Sequence, residues 1–358
     1  MTLNLIPLTR TSSVLLAGAS LTALGLGATL VLDAMGTKYT EKRVFDVSYS
    51  TETVTENLKT EVIRDGEPMD RGGRGGGRGR TQSYELVYTD TVMAAADGAP
   101  SQVKREFDTV GGETIIDGRD EPIERSLESA FEGVTLMLTD GEDGVEIEVT
   151  DGVAPDAERL DGHSLRLPLD SLMPEEDVEA GGEWEIDGAA LMSAMGLGIQ
   201  RKLVDRPERE GRGGREGGRG GGGGGRGGRQ RGGNDGGGGN PLANGNWDVT
   251  GTLTDETRDV DGLECAVIKI AAEVEGEPEG GPEREGMTRE SSYSGEFEGE
   301  LLFCVAEGHP VSFELTGSYE LSSDSSFDSD RGSMEMSRVD ETTFTINVTV
   351  AARTASDE

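Results

Sequence analysis

Apolar and polar residues alternate with a period of two over much of the chain from residue 43 onward. Phe45, Val47 and Tyr49 are separated by polar side chains, and a segment near the carboxyl end is apolar at positions 344, 346, 348 and 350. This period places successive side chains on opposite faces of a strand, so it predicts half-buried strands. The clearest hairpin joins residues 134–138 to 145–149 through residues 140–144, which indicates antiparallel pairing.

Helical patterns are few and short. Residues 122–131 have Pro122 in the first turn, place Ile123, Leu127 and Phe131 on one face and stop before Gly133, so we predict a helix there and a shorter one at 189–195. The fold class that we expect is mainly β. It is an antiparallel curved sheet or half-barrel with one or two short helices and disordered Gly/Arg-rich insertions.

Two tracts of glycine and arginine interrupt the strand pattern, at residues 71–80 and within residues 205–244. Such tracts bury too little apolar surface to offset the entropy of ordering them. We therefore predict a loop at 64–81 and a disordered insertion at 205–244. Residues 40–204 and 245–353 are the β-rich amino-terminal and carboxy-terminal parts, which we assign to the same domain, and residues 1–34 form a separate amino-terminal segment.

The net charge of −37 conceals a separation of signs, because both tracts are basic and the rest of the chain is more acidic than the total. An acidic surface repels polyanions, whereas the tracts attract them. The longer tract, within residues 205–244, has three interpretations: a passive flexible insertion, a contact for an acidic polymer, or a nucleic-acid binder. It lacks aromatic residues that stack on bases, so we do not expect nucleic acid as a partner. The candidate polyanion-binding residues are Arg212, Arg215, Arg219, Arg226, Arg229 and Arg231.

The amino terminus has an uncharged run at residues 12–32 that follows Arg10. This pattern is typical of an export signal peptide, and its length of about 20 residues also fits an uncleaved membrane anchor. An apolar amino terminus that packs within a cytoplasmic protein is the third interpretation. We expect an extracytoplasmic protein, in the periplasm, in the cell envelope or secreted, with membrane contact only through this segment. Ala19 occupies the position where a lipoprotein signal needs cysteine, so lipidation is not expected.

The chain has two cysteines, Cys265 and Cys304, on neighbouring β-segments. In an exported protein such a pair is expected to form a disulfide. The alternatives are two buried thiols that act as small hydrophobic residues, or a metal site.

Catalytic motifs are absent from the sequence. His163 and His309 each follow a glycine, and we interpret both as turn or surface histidines. The chain has no Gly-x-Ser-x-Gly elbow, no His-Glu-x-x-His and no Walker loop, and its 70 Asp and Glu residues single out no carboxylate pair. Asp324, Asp328 and Asp330 are interpreted as a solvated acidic turn rather than a calcium loop. We predict no catalytic, cofactor-binding or metal-binding residues and no cofactor.

One short motif occurs twice. Gly-Glu-Trp-Glu-Ile-Asp-Gly at 182–188 is echoed by Gly-Asn-Trp-Asp-Val-Thr-Gly at 245–251. We interpret the copies as two strand starts that use the same aromatic entry, with an internal duplication as the alternative.

The spacing Leu172-Met173-Pro174, Val178, Gly181, Trp184, together with later Asp261-Gly262 and Gly308-His309-Pro310-Val311, resembles exported β-rich bacterial proteins of unknown function. Some of these are similar to the half-barrels of periplasmic lipoprotein carriers. The resemblance covers residues 165–321 in outline and implies no catalytic residues.

These observations together predict a non-enzymatic extracytoplasmic β-sheet protein. It binds an apolar or polymeric ligand, an unknown component of the envelope, or it is structural in the cell envelope. The alternative is polyanion or nucleic-acid binding through the Arg-Gly-Gly tracts.

Overall fold

The computed structural model describes residues 31–32, 37–69, 79–118, 121–196, 200–204, 241–278, 287–329 and 332–354. Strands dominate, and the helices are α1 (Ala157–Leu160), α2 (Gly188–Ala194) and α3 (Gln200–Leu203), with 3₁₀ turns at Pro168–Leu172 and Pro241–Asn244. The strands are β1 (Val31–Leu32), β2 (Arg43–Arg64), β3 (Glu67–Pro68), β4 (Arg80–Ala96), β5 (Ala99–Ile116), β6 (Ile123–Leu127), β7 (Thr135–Gly141), β8 (Gly144–Asp151), β9 (Val178–Glu179), β10 (Glu183–Glu185), β11 (Asn246–Val260), β12 (Leu263–Gly276), β13 (Met287–Cys304), β14 (His309–Ser329) and β15 (Gly332–Thr354).

Thirteen of these strands form one open antiparallel sheet in the order β10-β11-β12-β13-β14-β15-β2-β4-β5-β7-β8, with β3 beside β2 and β6 beside β5. The predicted hairpin is the β7–β8 pair. Strands from before and after residues 205–240 lie in this one sheet, because β15 pairs with β2 and β10 pairs with β11. The predicted mainly β antiparallel fold is therefore confirmed.

One face of the sheet lines the main hydrophobic core. Apolar side chains from opposite ends of the strand order belong to this single cluster, among them Leu138 of β7, Phe107 of β5 and Ile268 of β12. Strands lie about 4.8 Å apart in a sheet, so a flat sheet would hold these residues too far apart to share a core. The sheet therefore curves, and we call the core side its concave face.

Residues 152–182, 186–196 and 200–204 cross the concave face, and we call these segments the cover. Leu169 and Leu172 of its 3₁₀ turn and Leu191 of α2 are fully buried in the core. The Asp170 carboxylate ties the cover to the segment before β2, since it accepts hydrogen bonds from the hydroxyls of Thr37 and Tyr39, the latter at 2.6 Å. α2 corresponds to the predicted helix at 189–195, which is confirmed.

The repeated tryptophan motif has a symmetric structural role. Its copies lie on the paired strands β10 and β11, with Trp184 opposite Gly251. A Cβ at Gly251 would lie 2.5 Å from Trp184 Cε2, and a Cβ at Gly188 would lie 2.5 Å from Trp247 Cβ. Each tryptophan thus packs on a glycine of the other copy. Each indole N–H also donates to a leucine carbonyl in a 3₁₀ turn at 3.1 Å.

Two local predictions are wrong. Residues 122–131 form β6 and a turn instead of a helix, because β7 pairs only with residues 102–106 of the long strand β5 and β6 satisfies the backbone groups of residues 112–116. Asp324 and Asp328 lie within β14 rather than in a turn, since β14 continues to residue 329 beside β15. Asp330 lies outside the described residues.

The tryptophan and glycine contacts generate a prediction. Gly251→Ala should lower the free energy of unfolding by about 1–3 kcal/mol, because its methyl group overlaps the Trp184 ring. The same substitution in a Trp184→Leu background should have a much smaller effect, since the overlapping ring is gone. Urea unfolding of the four proteins measures this coupling, and equal effects of Gly251→Ala in both backgrounds would contradict the assignment.

Candidate functional site

A cavity of about 890 Å³ lies between the concave face of the sheet and the cover. Strands β2, β4, β5 and β11 line it from the sheet, and the 3₁₀ turn Pro168–Leu172 and α2 line it from the cover. Much of its wall is aromatic or aliphatic. The apolar and aromatic lining residues include Tyr49, Leu86, Tyr88, Phe107, Ile186, Met192 and Trp247.

Charged side chains of both signs also line the cavity. The cations are Arg105, Arg166 and Lys202, and the acids are Asp161, Asp170, Glu185 and Asp187. Lys202 Nζ donates to the Asp161 carbonyl at 2.9 Å, which joins α3 to the turn after α1. The lining has no excess of positive charge, so it does not have the electrostatic character of a polyanion site.

Arg105 is the deepest of these charges, and Asp90, Ser164, Tyr88 and His163 hold it in place. It forms a bidentate ion pair with Asp90, its cross-strand partner, with both N–H···O distances at 2.7 Å. Its Nη2 also donates to the Ser164 carbonyl at 3.1 Å, and its guanidinium carbon lies 4.6 Å from the Tyr88 ring centroid. Burial disfavours the charge, but Asp90 outweighs this effect, so the pKa of Arg105 is raised. Arg105 therefore stays charged beside the cavity.

His163 is buried behind Arg105 and is 4% exposed, so its interpretation as a turn or surface residue is wrong. Its Nδ1 lies 3.4 Å from Arg105 Nη1, and because a guanidinium only donates, Nδ1 accepts and Nε2 carries the hydrogen. Burial, then the charges of Arg105 and Lys202, lowers the pKa of His163 to about 3. Phe107 and Phe131 pack against the ring. His163 is thus a neutral packing residue and not a proton carrier near neutral pH.

His309 is also buried, at 2% exposure, and the same interpretation is wrong for it. It opens β14 after the turn, its ring packs edge-on against Phe45, and its Nδ1 lies 3.1 Å from Arg43 Nη2. Burial and then Arg43 lower its pKa to about 4. Both histidines are buried against aromatic residues from other segments of the chain.

Cys265 and Cys304 lie directly opposite each other in the β12–β13 ladder. They are fully buried in a small second cluster with Val267, Leu302 and Val311, and both thiols are free in this structure. Burial, then the neighbouring Cys304, raises the pKa of the Cys265 thiol to about 11. Directly opposite residues of antiparallel strands have Cα atoms within the range that a disulfide spans. The disulfide stays a prediction.

Other predicted features lie outside the described residues. These are most of the amino-terminal segment and the six candidate polyanion-binding arginines, Arg212, Arg215, Arg219, Arg226, Arg229 and Arg231. In the described ranges, no helix has the length and apolar character needed to cross a membrane. The same residues contain no group of three or more His, Cys, Asp or Glu side chains arranged to hold a metal ion.

Comparisons with known proteins give little. No family model matches the chain, and no curated protein matches it. A solved structure titled for lipid–protein interactions in lipovitellin matches at a TM-score of 0.35 and 8% identity, over 89% of this chain and 26% of that one. An outer membrane channel from Pseudomonas putida F1 matches at 0.19 and 8%, over 87% and 97%. Neither TM-score is high enough to indicate a shared fold.

The buried ion pair generates a prediction. Asp90→Ala should lower the free energy of unfolding by about 3–5 kcal/mol, because it leaves the Arg105 charge buried without a partner. Asp46→Ala is the matched control, since Asp46 forms a similar two-bond pair with Arg353 at the exposed surface, and it should cost no more than about 1 kcal/mol. Urea unfolding measures both, and equal losses would contradict the role of burial.

The histidines generate a second prediction. Their pKa values of about 3 and about 4 lie below the usual 6.5, so the unfolded chain takes up protons first as the pH falls. Their contribution to stability is complete above about pH 6.5 and is lost below it, by up to about 1.4 kcal/mol per pH unit for each histidine. Urea unfolding from about pH 7 to about pH 5 should therefore show a steeper loss for the wild type than for a His163→Gln, His309→Gln variant.

That double variant also isolates the histidines from the carboxylates. Burial raises the pKa of Asp170, which works in the opposite direction, but it does so in both proteins. Parallel pH profiles for the two proteins would show that the histidines are not held neutral by the fold.

Proposed function

We propose that this chain is a non-enzymatic extracytoplasmic protein that binds an apolar ligand in the cavity between the sheet and the cover. The observation that carries the proposal is the cavity itself, at about 890 Å³ with aromatic and aliphatic side chains in its wall beside charged ones. Ligand pockets typically have this size, and a few fixed polar groups in them orient the ligand. Arg105 is such a group, because its ion pair and its contact with Tyr88 hold it in place before a ligand enters.

A binding role fits the chemistry of the site better than catalysis. The histidine nearest the cavity is buried, neutral and hydrogen-bonded to an arginine, so it does not activate a nucleophile. Asp170 is occupied by the hydroxyls of Thr37 and Tyr39, which gives it a structural task in anchoring the cover. The extracytoplasmic location rests on the uncharged segment at residues 12–32.

The ligand-binding proposal predicts the effect of a charge in the cavity wall. Met192 of α2 is half-buried and lines the cavity, so Met192→Glu should weaken binding of an apolar ligand about tenfold or more by placing a carboxylate against it. A fluorescent apolar dye, 1-anilinonaphthalene-8-sulfonate, is titrated into the full chain, and long-chain alcohols compete for its site.

Met93→Glu is the matched control, because Met93 is 45% exposed on β4 and does not line the cavity. Its dye affinity should equal that of the wild type. Equal affinities of the Met192 and Met93 variants, or dye binding that does not saturate, would show that the cavity is not the binding site.

A further inference from the structure

Among the residues that the structure describes, four strands extend past the rest of the sheet at one end. β12 ends at the residue opposite Tyr293, and β4 begins at the residue opposite Thr55. Beyond these two points β13, β14, β15 and β2 continue without them. We call this extension the arm, formed by residues 57–64, 287–293, 321–329 and 332–340. At about 3.3 Å per residue it projects roughly 25 Å, and β3 flanks its outer edge.

The two faces of the arm differ in chemistry. The inner face continues the concave face of the sheet, because its residues alternate in phase with Tyr293 and Leu321. Its outermost rows place Phe327 opposite Met334, and Met336 opposite both Ser325 and Val62. Phe327, Met334 and Met336 are 40%, 38% and 37% exposed, so large apolar side chains face water there.

The cations of these outermost rows share that face. Arg64 lies opposite Met334, and Arg289 lies opposite Ser325. Both are exposed in the structure. One row closer to the core, Arg338 is paired with Asp340 at 2.6 Å. Arg64 also has acids beside it, since its Nε lies 3.7 Å from Asp65 Oδ2 and Glu67 of β3 lies opposite it. The inner face at the end of the arm is therefore apolar, with Arg289 on one side and the Arg64 ion pair on the other.

The outer face of the same four strands is acidic. Glu290 lies opposite Asp324, and Glu335 and Glu61 point to the same side on β15 and β2. The carboxylates and the arginine–apolar surface are thus separated by the thickness of one sheet. Neighbouring residues of a strand point to opposite faces, so this separation arises from the alternation of acidic residues with arginine and apolar residues along each strand.

We propose that the inner face of the arm docks on a lipid bilayer, with Phe327, Met334 and Met336 entering the interface and Arg289 contacting lipid phosphates. Exposed apolar patches mark interaction surfaces, and a bilayer supplies an apolar phase next to a layer of anionic groups. A nucleic acid offers phosphates without an apolar phase. A second copy of the arm would bring arginines of the same face together. The acidic outer face points away from the lipid in this arrangement.

This contact is separate from ligand binding in the cavity. It also adds to the membrane contact predicted for the amino-terminal segment, so the test must read the arm itself. Ser325 and Ser326 are adjacent and similarly half-buried, but Ser325 lies on the inner face with Met336 and Ser326 lies on the outer face with Glu335. Full-length Ser325→Cys and Ser326→Cys proteins are labelled with an environment-sensitive fluorophore. Cys265 and Cys304 are fully buried. Wild-type protein treated with the same fluorophore verifies that these two thiols do not react.

With vesicles of phosphatidylcholine and phosphatidylglycerol, the label at residue 325 should shift to shorter wavelength and be quenched by lipid-borne quenchers. The label at residue 326 should change little. Adding Met334→Ser and Met336→Ser should reduce the vesicle affinity reported by the residue 325 label about tenfold, because two apolar side chains no longer enter the interface. Val153→Ser, which removes an 82% exposed apolar residue outside the arm, should leave the affinity unchanged.

Several outcomes would overturn the proposal. If the two labels respond equally, another segment carries the contact. The same holds if neither label responds although the protein floats with the vesicles. A residue 325 shift that depends on protein concentration and needs no lipid would assign the face to self-association. A third variant replaces Arg71, Arg74 and Arg78 by serine. If this variant loses vesicle binding while the serine substitutions in the arm have no effect, the contact belongs to the Gly/Arg tract instead.

Discussion

The pairing of β15 with β2 is the contact on which the rest of the structure depends. It runs from Arg43 opposite Thr354 to Arg64 opposite Met334, and it joins the strands before the cover to those after it. The cavity has walls from both sets of strands, and the arm is built from both. Because the two partners are far apart in sequence, this ladder closes a very long loop and is expected to form late in folding. The site and the arm then exist only in the completed sheet.

A second constraint is the polar centre beside the cavity. Arg105 and Asp90 are opposite residues of β5 and β4, so their ion pair follows directly from strand register. The pair is compatible with burial because Ser164 and His163 of the cover satisfy further guanidinium N–H groups. The cover is therefore positioned by polar contacts as well as by leucine packing, and the position of the cover defines the cavity.

Period-two patterns made much of the sheet predictable, including Phe45 to Tyr49 and the β7–β8 hairpin. Asp-Gly pairs at 97–98 and 261–262, which take positive φ at both positions, could also have located two further hairpins. The helix at 122–131 failed because the unpaired end of the preceding strand, β5, pairs with these residues and outweighs their helical pattern. The burial of His163 and the partner of Arg105 depend on register and packing between separate segments, which local sequence does not encode.

The charge pattern of the sheet distinguishes its general surface from the end of the arm. On the convex face, Asp248, Glu273 and Glu296 lie opposite one another on three successive strands. Like charges in such positions are destabilising, so the core must compensate for them, and they oppose association of the broad sheet. The acids continue along the outer face of the arm, whereas β13, β14, β15 and β2 have none in their two outermost inner-face rows, and Glu67 of β3 lies opposite Arg64 at the edge. The inner face at the end of the arm thus carries apolar side chains and Arg289 where the convex face carries carboxylates, which makes it the part of the sheet least opposed to association.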